Sequence, residues 1–546
     1  MEYLLTAEEM AQADRMTSEE IGIPSLVLME RAALGVAGAV RADYPAPHPG
    51  LRCAVVAGKG NNGADAAAAG RMLTDAGYEV RFYLVTRDGV MPEADPARRE
   101  TAMDTQLRII RSYGLSPQPF RQSDFAAYRP DIILDGLFGT GLSRAVGEPY
   151  ASAIRLINQM RGENGSRVYS VDIPSGVDGT SGEIMGCAVR ADVTVTFAFY
   201  KRGHFLYPGC GQCGQLILHE IGITQRSLSR RPGMFTYRTE TAQDLLPARD
   251  GGGNKGTFGK VLVIAGSKGV SGACTMSAGA VLRTGAGMVK VFTHEDNRII
   301  LQETVPEAMC STWSEEDHLS GAVLPALRRD LSWADVAAIG PGLGRGAAAR
   351  DLLAAVLDDA AERGAASGAG SSGPSAAAGE PSRASDAGKR FGLVIDADAI
   401  RLIAQYDLYE KLGAAGRAAR VILTPHMAEC AALFHVDVSD LKKQRFTLAK
   451  EFADRYSCTL CLKDARTLIA SPQSDALYLN TSGNDGLSTA GSGDILTGVA
   501  AGCLAQGMDA FCAACAASYL HGCAADRLTE DMSRRCLMAT DLLKVL

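Results

Sequence analysis

Residues 51–65 read Leu51-Arg-Cys-Ala-Val-Val-Ala-Gly-Lys-Gly-Asn-Asn-Gly-Ala-Asp65. The mostly apolar run Leu51–Ala57 suits a buried strand, and the glycine-rich turn after it opens a helix over Ala64–Ala76. Gly58-Lys-Gly-Asn-Asn-Gly63 formally matches GxGxxG, a weak signal when it stands alone. The acid that would bind a ribose at the end of the next strand is not obvious, Asp88 coming late. What sets the turn apart is its polar group: Asn61, Asn62 and Asp65. On its N-terminal side, Leu26, Met29, Ala33, Val36 and Val40 recur at helical spacing. On its C-terminal side, strands are expected at Tyr78–Val85, Asp131–Asp135, Arg167–Asp172, Asp192–Phe197 and Gln215–Leu218. This alternation of strand and helix argues a mostly parallel sheet covered on both faces, a Rossmann-like three-layer α/β/α domain.

Two further loops follow strands: Asp135-Gly-Leu-Phe-Gly-Thr-Gly141 and Asp172-Ile-Pro-Ser-Gly-Val-Asp-Gly179. In a parallel sheet all three loops lie at the carboxyl edge, where ligands bind. Glycines there let backbone N–H groups approach phosphates, and the oxygens of Asn62, Asp135 and Ser175 can hold a hard cation.

Residues 226–250 are polar and lack a clear period, which places a linker there between a domain of residues 1–225 and one of residues 251–546. The alternation restarts with strands expected at Lys260–Ala265, Met288–Thr293, Val336–Ile339, Leu393–Asp396, Val421–Thr424 and Thr459–Lys463. Long helices are expected at Gly493–Ala505 and Ala513–Leu528. Residues 364–390 are rich in Gly, Ala and Ser with almost no apolar bulk, so a disordered, dispensable surface insertion is expected. Gly491-Ser-Gly-Asp494 stands before a helical run, where N–H groups form an anion hole and an Asp can take a hydroxyl proton during phosphoryl transfer. Other strand-end loops converge on it: Gly340–Gly344, Asp396–Asp398, Thr424–His426 with Glu429, and Lys463–Thr467.

The 546 residues carry 47% hydrophobic and 21% charged side chains, which excludes global disorder and leaves length for two cores. Lys and Arg number 55 against 62 Asp and Glu, a net charge of −7, so nucleic-acid binding has no support. No apolar run approaches the roughly 18 residues needed to span a bilayer, so no membrane partner is expected. The N-terminal stretch lacks a basic region followed by an apolar one, so a cytoplasmic protein is expected. Among 14 cysteines, Cys210/Cys213, Cys458/Cys461 and Cys512/Cys515 have CxxC spacing; reduced core thiols are favoured over zinc or redox chemistry.

The first-domain loops, with Leu28-Met-Glu-Arg31 before them and Lys201-Arg-Gly-His204 and Tyr207-Pro-Gly209 after them, resemble the YjeF N-terminal family of NAD(P)H-hydrate epimerases. The resemblance implies epimerisation at C6 of hydrated NADH and NADPH, with potassium on Asn62, Asp135 and Ser175. It places substrate at Asn61, Asn62, Gly63, Ala64 and Asp65, along Gly139, Thr140, Gly141, Leu142, Ser143, Arg144 and Ala145, and at Asp172. Asp172 is the expected catalytic acid–base group. One departure is that Ala64 and Ala66 stand where the family has glycines.

The second domain resembles the ribokinase-like superfamily, and within it the ADP/ATP-dependent NAD(P)H-hydrate dehydratases. The motifs include Asn254–Lys260, Arg283-Thr-Gly-Ala-Gly287, Leu423-Thr-Pro-His426 and Ala539–Leu542. Ala273, Gly342, His426 and Asp494 would contact the hydrate, with Asp494 as catalytic base. Lys463, Asp464, Ala465, Arg466, Thr467 and Gly493 would hold ADP or ATP, with Mg2+ on its phosphates. Asn254, Arg401 and Asp464 depart from the family's His, Asn and Gly. The reading is a bifunctional repair enzyme that acts on small molecules, with self-association into a homo-oligomer left open. The alternative is a ribokinase-like vitamin-precursor kinase carrying a non-catalytic N-terminal binding module.

Overall fold

In a computed structural model the chain divides into two units, Glu2–Gly233 and Met234–Leu546. The structure describes all residues except 47, 49, 93–99, 240, 315–321 and 367–389.

The first unit holds a seven-stranded sheet in the order Gln118–Pro119, Glu79–Leu84, Arg52–Ala57, Ile132–Gly136, Arg167–Val171, Val193–Phe197 and Gln215–His219. Every pairing in it is parallel. Alternate residues of each strand feed opposite cores. Val55, Leu134, Tyr169 and Val195 pack on one face, and Val56, Ile133 and Val168 on the other. The chain runs outward in one direction from Arg52–Ala57 and in the other from Ile132–Gly136. Their carboxyl ends therefore form the switch point, where no crossover helix fills the crevice. A separate short parallel pair joins Glu2–Leu5 to Tyr200–Lys201.

The second unit holds a ten-stranded sheet. Seven parallel strands run in the order Met309–Trp313, Met288–His294, Lys260–Ile264, Val336–Ile339, Gly392–Ile395, Arg420–Leu423 and Thr459–Leu462. The antiparallel hairpin Leu468–Ser471/Ser474–Leu479 extends it, and Met234–Thr236 completes it. The switch point lies between Lys260–Ile264 and Val336–Ile339. Helices Ser271–Arg283 and Ser492–Ala505 meet above it at close range. A Cβ on Gly498 would lie 2.3 Å from the Ser277 carbonyl oxygen, so only glycine permits this approach.

The stretch 226–250, expected as a linker, is partly built into the second unit: Met234–Thr236 pairs with Ser474–Leu479. The insertion expected at 364–390 lies mostly outside the described residues, but its first three residues continue the helix Ala347–Ala366. Leu26 is 45% exposed, while Met29, Ala33, Val36 and Val40 are buried. All fourteen cysteines are free thiols, and no group of three or more His, Cys, Asp or Glu gathers as a metal site among the described residues. No helix among them is long and apolar enough to cross a membrane.

Candidate active sites

At the first switch point, the strand Arg52–Ala57 passes through Gly58 into the helix Asn61–Asp75. A Cβ on Gly58 would lie 2.2 Å from the Leu137 carbonyl oxygen, and one on Gly63 would lie 2.1 Å from that of Gly58. These glycines bring the Asn61 loop against the loop after Ile132–Gly136. Asn62 Nδ2 donates to the Phe138 carbonyl at 2.9 Å, and Ser175 Oγ donates to the same oxygen at 3.1 Å. The Phe138 N–H donates to Ser175 Oγ at 2.8 Å. Asp135 accepts from the Ser175 N–H at 2.9 Å and from Ser170 Oγ at 2.8 Å. Burial raises the Asp135 carboxyl despite these bonds. Of the three residues expected together, Asn62 and Ser175 meet at the Phe138 peptide and Asp135 joins them through the Ser175 N–H.

Ala64 and Ala66 lie in ordinary right-handed helix and are fully buried, so replacing glycine strains nothing there. Ala64 also gives its N–H to the Gly60 carbonyl. Gly63 and Ala64 are buried, whereas Asn61 is exposed and Asn62 and Asp65 are half-buried. In the next loop Gly139 lies over Asn62, and Thr140 lies beside Gly179. Leu142 is half-buried, and Gly141, Ser143, Arg144 and Ala145 are exposed.

Asp172 has a left-handed backbone, with φ of 66°. Its Oδ1 receives Lys201 Nζ at 2.5 Å and Thr196 Oγ1 at 3.0 Å. His204 Nδ1 accepts the Lys201 N–H at 3.1 Å, so its proton sits on Nε2, which donates to the Asp172 carbonyl at 2.9 Å. Burial and the Lys201 charge push the His204 ring down to about 4, keeping it neutral. Burial alone would raise the Asp172 carboxyl, but the Lys201 ammonium outweighs it and holds it below the usual range. The two-residue strand Tyr200–Lys201 delivers the lysine. Lys201 opens the motif Lys201-Arg-Gly-His204, where sequence alone gives it no partner.

In the second unit, Gly491 has φ of 90° and starts the helix Ser492–Ala505, with Asp494 in its first turn. Ser277 Oγ donates to the Asp494 carbonyl at 3.1 Å, tying this turn to the helix that carries Ala273. A Cβ on Gly342 would lie 2.9 Å from Ala273 Cβ, so these two expected residues adjoin. Gly493 faces a buried ion pair: its Cβ would lie 3.3 Å from Lys463 Nζ and 3.8 Å from Asp396 Oδ2. Burial and the Asp396 charge, opposed by Lys463 and reinforced by Asp398, push the Asp494 carboxyl up to about 7. A general base poised there works near neutral pH.

His426, expected at the hydrate, stands at a helix start with its side chain 47% exposed. Its Nδ1 accepts the N–H groups of Ala428 and Glu429, capping the helix Met427–Phe434, and Nε2 lies 3.2 Å from Glu429 Oε1. Nδ1 is thus engaged in the helix cap, and Nε2 faces the Glu429 carboxylate.

Two family models match the chain. One, described as YjeF-related protein N-terminus, matches residues 25–203; the other, described as NAD(P)H-hydrate dehydratase, matches 261–362 and 374–546. The bifunctional NAD(P)H-hydrate repair enzyme Nnr of Moorella thermoacetica is 34% identical, over 100% of this chain and 96% of that one. The chain belongs to the bifunctional NAD(P)H-hydrate repair enzymes. The repair enzyme Nnr of Coxiella burnetii is 32% identical, over 99% of this chain and 98% of its own. A solved ADP/ATP-dependent NAD(P)H-hydrate dehydratase from Bacillus subtilis, co-crystallised with ATP/Mg2+, is 27% identical over 56% of this chain and 94% of its own, with a TM-score of 0.42. As a repair enzyme the chain joins an epimerase domain to a dehydratase domain.

In this repair enzyme the loop Lys463–Thr467 leads from the sheet into the hairpin, with Asp464 and Ala465 exposed. Lys463 N–H donates to the Pro425 carbonyl at 2.7 Å, and the Thr467 carbonyl accepts from Asn480. Arg445 Nη1 lies 3.8 Å from Asp464 Oδ2, so the carboxylate that departs from the family has a counter-charge. Arg401 Nε stands 3.9 Å from Glu429 Oε1. His521 lies on the helix Ala510–Asp531. It is buried beside Ser492, pushed down to about 4 by burial, and nothing in a single helical histidine signals that position.

Proposed function

We propose that the first domain interconverts the R and S forms of hydrated NADH and NADPH at C6, with Asp172 as an acid–base group, and that the second domain dehydrates the S form. Hydrate would lie along Asn61, Asn62, Asp65 and the 139–145 loop. Asn62, Asp135 and Ser175 offer hard oxygens around a buried carboxyl that meets no cation among the described residues. This donor set fits potassium, which would steady the Phe138 loop.

In the dehydratase, Asp494 takes the C6 hydroxyl proton as that oxygen attacks the terminal phosphoryl group of ADP or ATP. N–H groups of the helix's first turn would hold the transferring group. Phosphate then leaves from C6 with a proton from C5, restoring the dihydropyridine. Asp396 is committed to Lys463 and Thr497, and Asp398 to Gly344 and Arg345. Mg2+ would be held by the nucleotide's phosphates, where it would neutralise developing charge. The carrying observation is the Asp494 carboxyl, pushed up to about 7 at a glycine-entered helix start. Fourteen free thiols suit a reducing cytoplasm. The test is to mix purified protein with hydrated NADH and either ADP or ATP and follow the return of dihydropyridine absorbance. Release of a stable phosphate ester without that return would refute the reading.

A further inference from the structure

A histidine beside a carboxylate is the usual means of moving protons near neutral pH. His204 is placed for a different task. Its ring is 1% exposed, and both nitrogens meet main chain: Nδ1 accepts the Lys201 N–H and Nε2 donates to the Asp172 carbonyl. Neither nitrogen is left to meet a substrate. Burial and the Lys201 charge also keep the ring neutral.

What the ring holds is a strained backbone. The Ile173 N–H returns to the Val171 carbonyl at 2.8 Å, closing a three-residue turn whose central residue, Asp172, has φ of 66°. Residues with a Cβ rarely adopt that hand, and they keep it only where the surroundings over-determine it. Three bonds do so here. The Asp172 N–H donates to the Val195 carbonyl at 2.8 Å, Lys201 Nζ donates to Oδ1 at 2.5 Å, and His204 Nε2 donates to the carbonyl at 2.9 Å. Two of the three come from one turn, Lys201-Arg-Gly-His204. The same turn reaches the far end of the 172–179 loop. The Gly203 N–H donates to the Gly179 carbonyl at 2.9 Å, and a Cβ on Gly203 would lie 2.3 Å from the Asp178 carbonyl oxygen.

We propose that His204 is a positioning residue of the epimerase, which holds the Asp172 main chain in its strained turn and so keeps the carboxylate in register with C6 of the hydrate. Lys201 fixes the side chain and its charge. His204 fixes the backbone beneath that side chain and takes no part in proton transfer.

This assignment rests on the Asp172 reading, and the variants separate the two. The amide nitrogen of glutamine can stand where Nε2 stands, whereas the amide oxygen of asparagine can replace only the Nδ1 acceptor. His204→Gln therefore keeps the bond to the Asp172 carbonyl, and His204→Asn loses it. His204→Asn should lower epimerisation kcat by about 10²-fold, the loss that a misplacement of about 1 Å brings, with KM nearly unchanged. His204→Gln should recover most of that rate. The acid limb of epimerisation should stay at its wild-type pH in both, because Lys201 still faces Asp172. A wild-type kcat in His204→Asn, or a loss confined to KM, overturns the assignment. So does a His204→Gln chain that is as slow as His204→Asn, or that fails to fold by its melting curve, since the ring itself would then be needed. Should His204→Asn unfold the first domain, the glutamine variant decides alone by the same criteria. Full epimerisation by Asp172→Asn would instead refute the role of Asp172.

Discussion

Lys463 Nζ lies 2.7 Å from Oδ1 of Asp396, across 67 residues of sequence, and the carboxylate is 1% exposed. Thr497 Oγ1 donates to its other oxygen at 2.7 Å. The pair forms the floor beneath Gly493 and Asp494, so its charges set the electrostatics of the dehydratase site. Lys463→Met would strand a buried charge, a change that costs about 3–5 kcal/mol in comparable pairs. Denaturant unfolding of the second domain should show that loss, and adding Asp396→Asn should recover most of it.

Asp494→Asn should lower dehydration kcat by about 10²–10⁴-fold while leaving epimerisation unchanged. In wild type, dehydration should rise with pH through about 7, because the base must be ionised. The stability effect has the opposite sign. A carboxyl raised in the folded state contributes stability below its unfolded value and loses it as pH rises through about 7. Asp494→Asn should therefore raise the melting temperature at pH above 7, but not at about pH 4. Equal melting shifts at both pH values would contradict this.

The Asp464 carboxylate would repel a nucleotide phosphate, but Arg445 stands 3.8 Å away. Asp464→Gly should then tighten ADP only slightly. Arg445→Ala should weaken ADP about fivefold, the equivalent of about 1 kcal/mol for one unscreened charge in water. That weakening should vanish in the Asp464→Gly background, as calorimetric titration of the four proteins would reveal.

Lys201→Met removes the charge that keeps Asp172 ionised. A depressed carboxyl contributes stability above its unfolded value and loses it as pH falls through the folded one. Both the acid limb of epimerisation and the acid unfolding of the first domain should move to higher pH in this variant. An unmoved acid limb would detach Lys201 from the function of Asp172.

The parallel strands were legible because each is a short apolar run buried on both faces: Arg52–Ala57, Arg167–Val171 and Val336–Ile339 lie within a residue or two of where the sequence puts them. Met309–Trp313 escaped because its run Met-Cys-Ser-Thr-Trp is largely polar or exposed, as an edge strand permits. Helical spacing identified the buried face of Ser25–Asp43 but not the limit of the core, which leaves Leu26 outside.

The sequence by itself determined the two α/β domains and the loops that carry Asp172 and Asp494, since apolar periodicity and glycine turns are local properties of the chain. Tertiary structure alone decided which charges meet. The assembled fold brings Lys463 to Asp396, Lys201 to Asp172 and Arg445 to Asp464. It also turned His426 into a helix cap. Proton affinity depends on burial and on neighbours in space, and residues distant in sequence become neighbours only when the sheet is assembled.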